Sequence, residues 1–149
     1  MINVQGIIEV EVATERDGTI VTERQTIKNL VVDAGLNLIR DRLAGTSSAY
    51  VTHLAVGTNA AAVTALQTTL STEVFRNVLT QTITSSTKTV QFKLYLAANE
   101  ANGNTLREIG LFTASTGGTM YARALLASPI VKNSSTTVTF TWTTNLSAT

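Results

Sequence analysis

The chain has no cysteine, one proline, one histidine and an aromatic fraction of only 5% over 149 residues. The missing cysteines exclude disulfides, thiolate nucleophiles and zinc–thiolate sites. Charge is also scarce, because Asp, Glu, Lys and Arg make up 14% of the residues and sum to +1. These charges are interspersed and form no basic stripe, so we expect no nucleic-acid partner.

Long apolar runs are absent too. No stretch approaches the roughly 18 uninterrupted apolar residues of a membrane-spanning helix. Glu9 and Glu11 stand where a secretory leader needs an apolar run behind basic residues. We therefore expect a protein made in a cytoplasm, with no membrane contact. The hydrophobic fraction of 44% argues against disorder and favours one domain spanning residues 1–149.

What the chain does have is alternation of apolar and polar residues with a period of two. Ile8, Val10 and Val12 alternate with their neighbours and predict a half-buried strand. Asp17 and Gly18 predict a tight hairpin after it, because both residues tolerate positive φ. The same pattern predicts further strands at 20–26, 50–57, 74–84, 89–97, 106–113, 120–126 and 136–144, with turns at 85–87 and 116–118. Pro129 is expected to break the chain, since it donates no hydrogen bond to a sheet.

One helix is predicted at 29–44. Leu36, Ile39 and Leu43 have helical spacing, Asp33 is a candidate N-cap and Gly45 is placed to end the helix. Its apolar stripe should lie across a sheet. The predicted fold class is therefore all-β: an antiparallel β-sandwich or partly open barrel of about eight strands with one α-helix packed on it.

Residues able to perform chemistry are few. His53 lacks a nucleophile-elbow motif around any nearby serine, so a packed or interface histidine is the preferred interpretation. Glu9 and Glu11 share a strand face and could hold a divalent cation, but a solvated strand face is preferred. Gly117 and Gly118 lie in a hairpin and not in a phosphate-binding loop. We predict no catalytic, metal or cofactor site, and hence no enzyme.

Several stretches resemble small virion proteins of tailed phages. Residues 28–36 (KNLVVDAGL), followed by 52–58 (THLAVGT), are similar to the opening of many such proteins. Residues 106–112 (LREIGLF) with 120–123 (MYAR) resemble a signature of phage tail-collar and fibre-attachment domains. The closing run from 128 to 143 is similar to the end of the same proteins.

This resemblance implies a β-rich virion domain that commonly forms a homotrimer. A chain of this length with no shaft repeat fits a capsid decoration, or cement, protein bound to the major capsid protein. A tail fibre, collar or baseplate attachment subunit is the alternative. A carbohydrate-binding module is a third hypothesis, and it would place several exposed aromatic residues on one face.

The expected assembly interface draws on three parts of the chain. Residues 1–6 are a candidate N-terminal arm reaching a neighbour, and the loop at 58–72 is expected to contact one as well. Arg107 and Glu108 are expected to form a local or intersubunit ion pair, and Gly110 either admits a neighbouring subunit or marks a bulge. The candidate interface residues are Met1, Ile2, Asn3, Val4, Arg107, Glu108, Gly110 and Arg123.

Overall fold

The computed structural model describes residues 1–84 and 86–148. Within them the chain forms two five-stranded antiparallel sheets and one helix, which confirms the predicted all-β sandwich with a packed helix. The elements are β1 (Ile2–Arg16), β2 (Thr19–Lys28), β3 (Leu30–Val31), α1 (Asp33–Ala44), β4 (His53–Gly57), β5 (Glu73–Val78), β6 (Gln81–Ile83), β7 (Thr89–Leu96), β8 (Asn104–Phe112), β9 (Met120–Lys132) and β10 (Thr136–Ala148). The first sheet has the order β2-β1-β10-β7-β6 and the second sheet β3-β9-β8-β4-β5.

The core lies between the two sheets and follows the period-two pattern. On β10, Val138, Phe140 and Trp142 are fully buried, while the intervening threonines are not. They pack in one cluster with residues of the second sheet such as Leu54 and Ile109. Each such side chain contributes about 1.5–3 kcal/mol on burial, so the alternation itself drives the sheets together.

Both predicted turns that lie within the described residues connect hairpins. Asp17 and Gly18 have φ of 52° and 77° between β1 and β2, where Arg16 pairs with Thr19. Positive φ at both central positions gives a turn that matches the strand twist. Between β8 and β9, Gly117 and Gly118 also have positive φ. The turn predicted at 85–87 includes Ser85, which lies outside the described residues.

Helix α1 begins later than predicted. Asp33 is its first residue and not its cap, because Val32 occupies the cap position and makes no side-chain capping bond. The preceding residues pair with β9 as β3, which commits them to extended backbone. Gly45 ends the helix with φ of 68°, as predicted. No helix in the described part of the chain is long and apolar enough to span a membrane.

The apolar stripe of α1 is only partly covered. The helix approaches β9 at Gly35, where a Cβ would collide with the backbone of Tyr121, and it buries Leu38. Leu36 and Leu43 are exposed, which corrects the prediction that the whole stripe lies on a sheet. The helix therefore contacts β9 through the side that carries Gly35 and Leu38, and the side that carries Leu36 and Leu43 is open to solvent.

The segment 74–84 is two strands and not one. Strand β5 pairs with β4 in the second sheet, and β6 pairs with β7 in the first. The chain crosses between the sheets at Leu79 and Thr80, whose N–H groups donate to the Thr52 and Lys93 carbonyls at 2.9 and 2.8 Å. Alternation in sequence reports the two faces of a strand, but it carries no sign of a change of sheet.

Strand β9 continues through Pro129, so the predicted break there is wrong. The register with β8 shifts at this point, and residues 126–129 stand opposite Arg107 alone. Proline is tolerated in such a bulge, because no ladder donor is needed from it. The Gln25 side-chain amide binds the backbone N–H and carbonyl of Ser128 at 3.1 and 3.0 Å and thereby fixes the bulge.

Candidate functional site

The N-terminal residues are part of the first sheet and do not form a free arm. Ile2 pairs with Ala148 and Val4 with Leu146, so the backbone of residues 2–6 is hydrogen-bonded to the end of β10. The prediction of an arm is corrected, because the two chain ends satisfy each other's backbone groups. The Ile2 side chain is nevertheless 72% exposed, and Met1, ahead of the strand, is also exposed. Asn3 lies on the opposite face of β1.

Glu108 and Arg123 are fully buried, which corrects their placement on an exposed interface. Arg123 Nε and Nη2 donate to Glu108 Oε2 at 2.9 and 2.7 Å. The predicted pair between Arg107 and Glu108 is not among the ion pairs of the described residues, because consecutive strand residues point to opposite faces. Arg107 itself is half-buried, opposite the β9 bulge.

The buried pair fastens the loop 58–72 to the second sheet. Glu108 accepts hydrogen bonds from the backbone N–H groups of Ser71 and Thr72 at 3.0 and 2.7 Å. Arg123 Nη1 donates to the Ala61 carbonyl oxygen at 2.9 Å. We call Glu108, Arg123 and these three loop contacts the loop clamp. The loop expected to contact a neighbour is thus held by its own chain.

Gly110 makes room for this loop. It lies in regular register with Ala55 and Arg123, so it does not mark a bulge. A Cβ there would meet Leu70 Cδ2 at 2.9 Å. Leu70 comes from the loop and packs with Ala55 and Phe112 in a second small core on the outer face of the second sheet. The close approach expected from a neighbouring subunit is therefore made by the same chain.

Arg76 was not singled out from the sequence, but it completes this covered face. Its guanidinium lies 3.7 Å from the centre of the Phe112 ring and donates to the carbonyl oxygens of Ala114 and Gly117 at 2.9 and 2.8 Å. A salt bridge to Glu73, at 2.6 Å, neutralises it. The spacing of Glu73 and Arg76 was no signal of this pair, because residues three apart lie on opposite faces of a regular strand and the register of β5 is irregular here.

His53 lies on β4, beside the same face. Its Nδ1 is 2.7 Å from Thr52 Oγ1. Burial lowers the pKa of His53 below its usual 6.5, and the nearby positive charge of Arg76 lowers it further. The ring is therefore neutral at pH 7 and serves as a packed polar group, which is the interpretation preferred from the sequence.

Glu9 and Glu11 on β1 were the candidate site for a divalent cation. Glu11 forms an exposed ion pair with Arg24 at 2.9 Å, while Glu9 lies on the same strand face. In the described ranges no three His, Asp or Glu residues come together as a possible metal site.

An open apolar groove lies at one end of the sandwich, between α1 and the ends of β7 and β10. Its volume is about 280 Å3, and its lining includes Leu38, Leu43, Tyr50, Val90, Phe92 and Leu146. Leu43 is 80% exposed and Tyr50 64% exposed. We call this opening the end groove. It is the largest apolar feature that the chain leaves uncovered among the described openings.

The end groove adjoins part of the predicted interface. Leu146 lines the groove and pairs with Val4 on β1. Because side chains alternate, Ile2, Val4 and Leu146 share the sheet face that carries Trp142. Leu146 therefore joins the strand pair of the chain ends to a groove lined by Leu43 and Tyr50, which sequence reasoning had assigned to the core or to a strand.

No family model, no curated protein and no solved structure matches this chain significantly. The function is therefore argued from the surfaces of the molecule and from the resemblance within residues 28–143.

Proposed function

We propose that this protein is a non-enzymatic structural protein of a tailed-phage virion. Specifically, it is a decoration protein that forms a homotrimer and binds the major capsid protein. The observation that carries the proposal is the end groove, an apolar surface with Leu43 and Tyr50 exposed beside it. The resemblance within residues 28–143 supports the virion setting.

The end groove is suited to protein contact because almost nothing charged must be desolvated there. Arg42 is the one charged residue among its lining groups in the described chain. Single exposed apolar residues are normal, but a contiguous apolar opening indicates an interaction surface. Burying a leucine-sized side chain contributes about 1.5–3 kcal/mol, and repetition over many copies in a lattice multiplies that gain.

The occupant we propose for the end groove is a second copy of this chain. The groove is continuous with the apolar face of the terminal strands at Ile2, Val4 and Leu146. Around a three-fold axis near this end, the terminal strands of one copy lie against the groove of the next, so every copy buries both surfaces. The N-terminal residues thus act as part of an ordered strand and not as an arm.

The residues that carry the phage resemblance have a different role. Glu108, Gly110 and Arg123 build the loop clamp and the space under it. This motif therefore supports a shared way of folding, and the contacts with other virion proteins lie elsewhere on the surface.

Light scattering of the purified protein tests the three-fold contact. We expect a mass that is a multiple of three times the 15.8 kDa chain. Leu43→Glu should reduce that mass three-fold without affecting folding, because Leu43 is exposed. Leu66→Glu is a matched control, since Leu66 is 82% exposed but lies in the loop 58–72. A stable monomer at micromolar concentration, or equal effects of the two substitutions, would contradict the proposal.

Labelled antibodies on intact particles test the location. Label over the head supports a decoration protein, whereas label at the tail supports the alternative of a tail fibre, collar or baseplate attachment subunit. Residues 106–112 and 120–123, which resemble tail-collar domains, are the reason for keeping that alternative. A glycan-binding platform has less support, because the exposed tyrosines lie apart: Tyr50 borders the end groove and Tyr95 lies on the outer face of the first sheet.

A further inference from the structure

The outer face of the first sheet carries a central row of threonines. Strand β10 lies in the middle of this sheet, and the side chains on its outer face are half-buried. We call this row the threonine ladder: Thr137, Thr139, Thr141 and Thr143. It is neutral, and β-branched residues pack well on such a pleated surface.

The two sides of the threonine ladder carry different groups at the same height. Glu9 on β1 pairs with Thr141, which pairs in turn with Lys93 on β7. In the next row, Glu11 flanks Thr139 on one side and Tyr95 flanks it on the other. One side of the ladder therefore carries two carboxylates, of which Glu11 is paired with Arg24 of β2 and Glu9 is not, and the other side carries a cation and a phenol.

The acidic side is also concave. A groove of about 240 Å3 is lined by Glu9, Glu11, Thr139 and Thr141, with Arg24 at its margin. On the opposite side Tyr95 is 49% exposed, and neither Lys93 nor Glu9 forms an ion pair with the described part of the chain. The face thus has a groove lined by Glu9 and Glu11. At the same height on the other side of the ladder, Lys93 and Tyr95 could fill the same groove of a second copy.

Two orientations of a two-fold axis can bring such faces together, and they differ in which charges they place opposite each other. A two-fold axis along the threonine ladder places Glu9 of one copy over Lys93 of the other, and Glu11 over Tyr95. A two-fold axis across the ladder, at the height of these two rows, places the carboxylates of one copy over those of the other, and such like-charge contacts cost several kcal/mol. Only the first arrangement satisfies both rows at once.

We propose that two copies of this chain pair through the outer face of the first sheet, about a two-fold axis along the threonine ladder, with Lys93 and Tyr95 of each copy seated in the groove of the other.

The size and packing of this face suit such a contact. Facing sheets pack about 10 Å apart and about 30° from parallel, which this axis allows. Four strands about 4.8 Å apart and about eight residues long, at about 3.3 Å each, together with the short β6, give roughly 550 Å2 of projected face. The accessible area of a pleated face exceeds its projection and so approaches the about 800 Å2 per partner of a stable interface. This contact is separate from the end groove and links trimers in pairs.

A charge-swap experiment tests the pairing. Light scattering should find that Lys93→Glu halves the assembled mass, because it places acid against Glu9 and Glu11. Adding Glu9→Lys to Lys93→Glu should restore the mass by exchanging the two charges. Glu23→Lys, a reversal at an exposed residue of β2 whose side chain points away from the threonine ladder, is the control and should change nothing. An unchanged mass for Lys93→Glu, or no recovery in the double variant, overturns the proposal.

The outcomes separate this contact from the three-fold contact. Leu43→Glu should lower the mass three-fold and leave pairs, whereas Lys93→Glu should lower it two-fold and leave trimers.

Cross-linking provides a second readout. Because the chain has no cysteine, Thr141→Cys introduces a single thiol for a short bismaleimide. Cross-linked dimers are expected, and Lys93→Glu should abolish them; Ser134→Cys, in the β9–β10 turn, should give none. Equal cross-linking at positions 134 and 141 overturns the pairing.

Discussion

Both sheets of the sandwich bury apolar residues on their inner faces, but their outer faces differ in what covers them. The outer face of the second sheet is covered by the loop 58–72, which is fastened by the buried Glu108–Arg123 pair and by Leu70. The outer face of the first sheet is open, and its one ion pair, Glu11–Arg24, is exposed at 2.9 Å. The chain covers the outer face of one sheet by itself and leaves that of the other exposed.

This difference shows why a charged residue cannot be interpreted without knowing what covers it. A buried ion pair is expensive to desolvate and persists only when further hydrogen bonds satisfy it, as the loop backbone does for Glu108. A charge at the margin of an open face contributes mainly to the orientation and rate of association. With only 14% of residues charged, this small protein has both a buried and an exposed ion pair.

The loop clamp should give the largest effect. Glu108→Gln leaves Arg123 buried without a counter-charge, so we expect the free energy of unfolding to fall by about 3–5 kcal/mol. The loop 58–72 should at the same time become the first site of limited proteolysis. Urea denaturation monitored by Trp142 fluorescence measures the first effect, because Trp142 is fully buried in the core.

The exposed pair provides the contrast. In the Lys93→Glu background, where the face is not paired, Glu11→Gln should change the free energy of unfolding by no more than about 1 kcal/mol, since both partners are then solvated. Equal losses from Glu108→Gln and Glu11→Gln would remove the distinction between a covered and an open sheet.

The space under the loop gives an intermediate effect. Gly110→Ala pushes a methyl group against Leu70, and overpacking of this kind costs about 1–3 kcal/mol. Leu70→Ala alone leaves a cavity and should cost about 2–5 kcal/mol. The double variant should lose less than the sum of the two, because each substitution relieves the other. Strict additivity in urea denaturation would show that Leu70 does not press on this glycine.

The sequence was sufficient for features that depend on local geometry. Alternation predicted β10 and its buried Trp142, Asp17 and Gly18 predicted the first hairpin, and Gly45 predicted the end of α1. Each of these depends on backbone conformation or on side-chain period, which neighbouring residues determine.

Features that depend on distant cover could not be predicted in this way. Glu108 and Arg123 occupy polar positions of alternating strands, which in sequence cannot be distinguished from a solvated face. Only the loop 58–72, far away in the chain, buries them. The opposite error occurred at Leu43, whose helical spacing predicted burial although no element of the described chain covers it.

The smallest predicted effect concerns acid and the covered sheet. Burial, with Arg76 adding to it, lowers the pKa of His53, so the unfolded chain takes up the proton first as pH falls below about 6.5. His53 therefore costs nothing above that pH and destabilises the fold progressively as pH falls toward its folded-state pKa. Free energies of unfolding from pH 7.5 to 5.5 should decline more steeply for the wild type than for His53→Gln. His53 is the only histidine, so His53→Gln shows the pH dependence of stability without any histidine titration. Parallel slopes would mean that the pKa of His53 is the same in the folded and the unfolded chain.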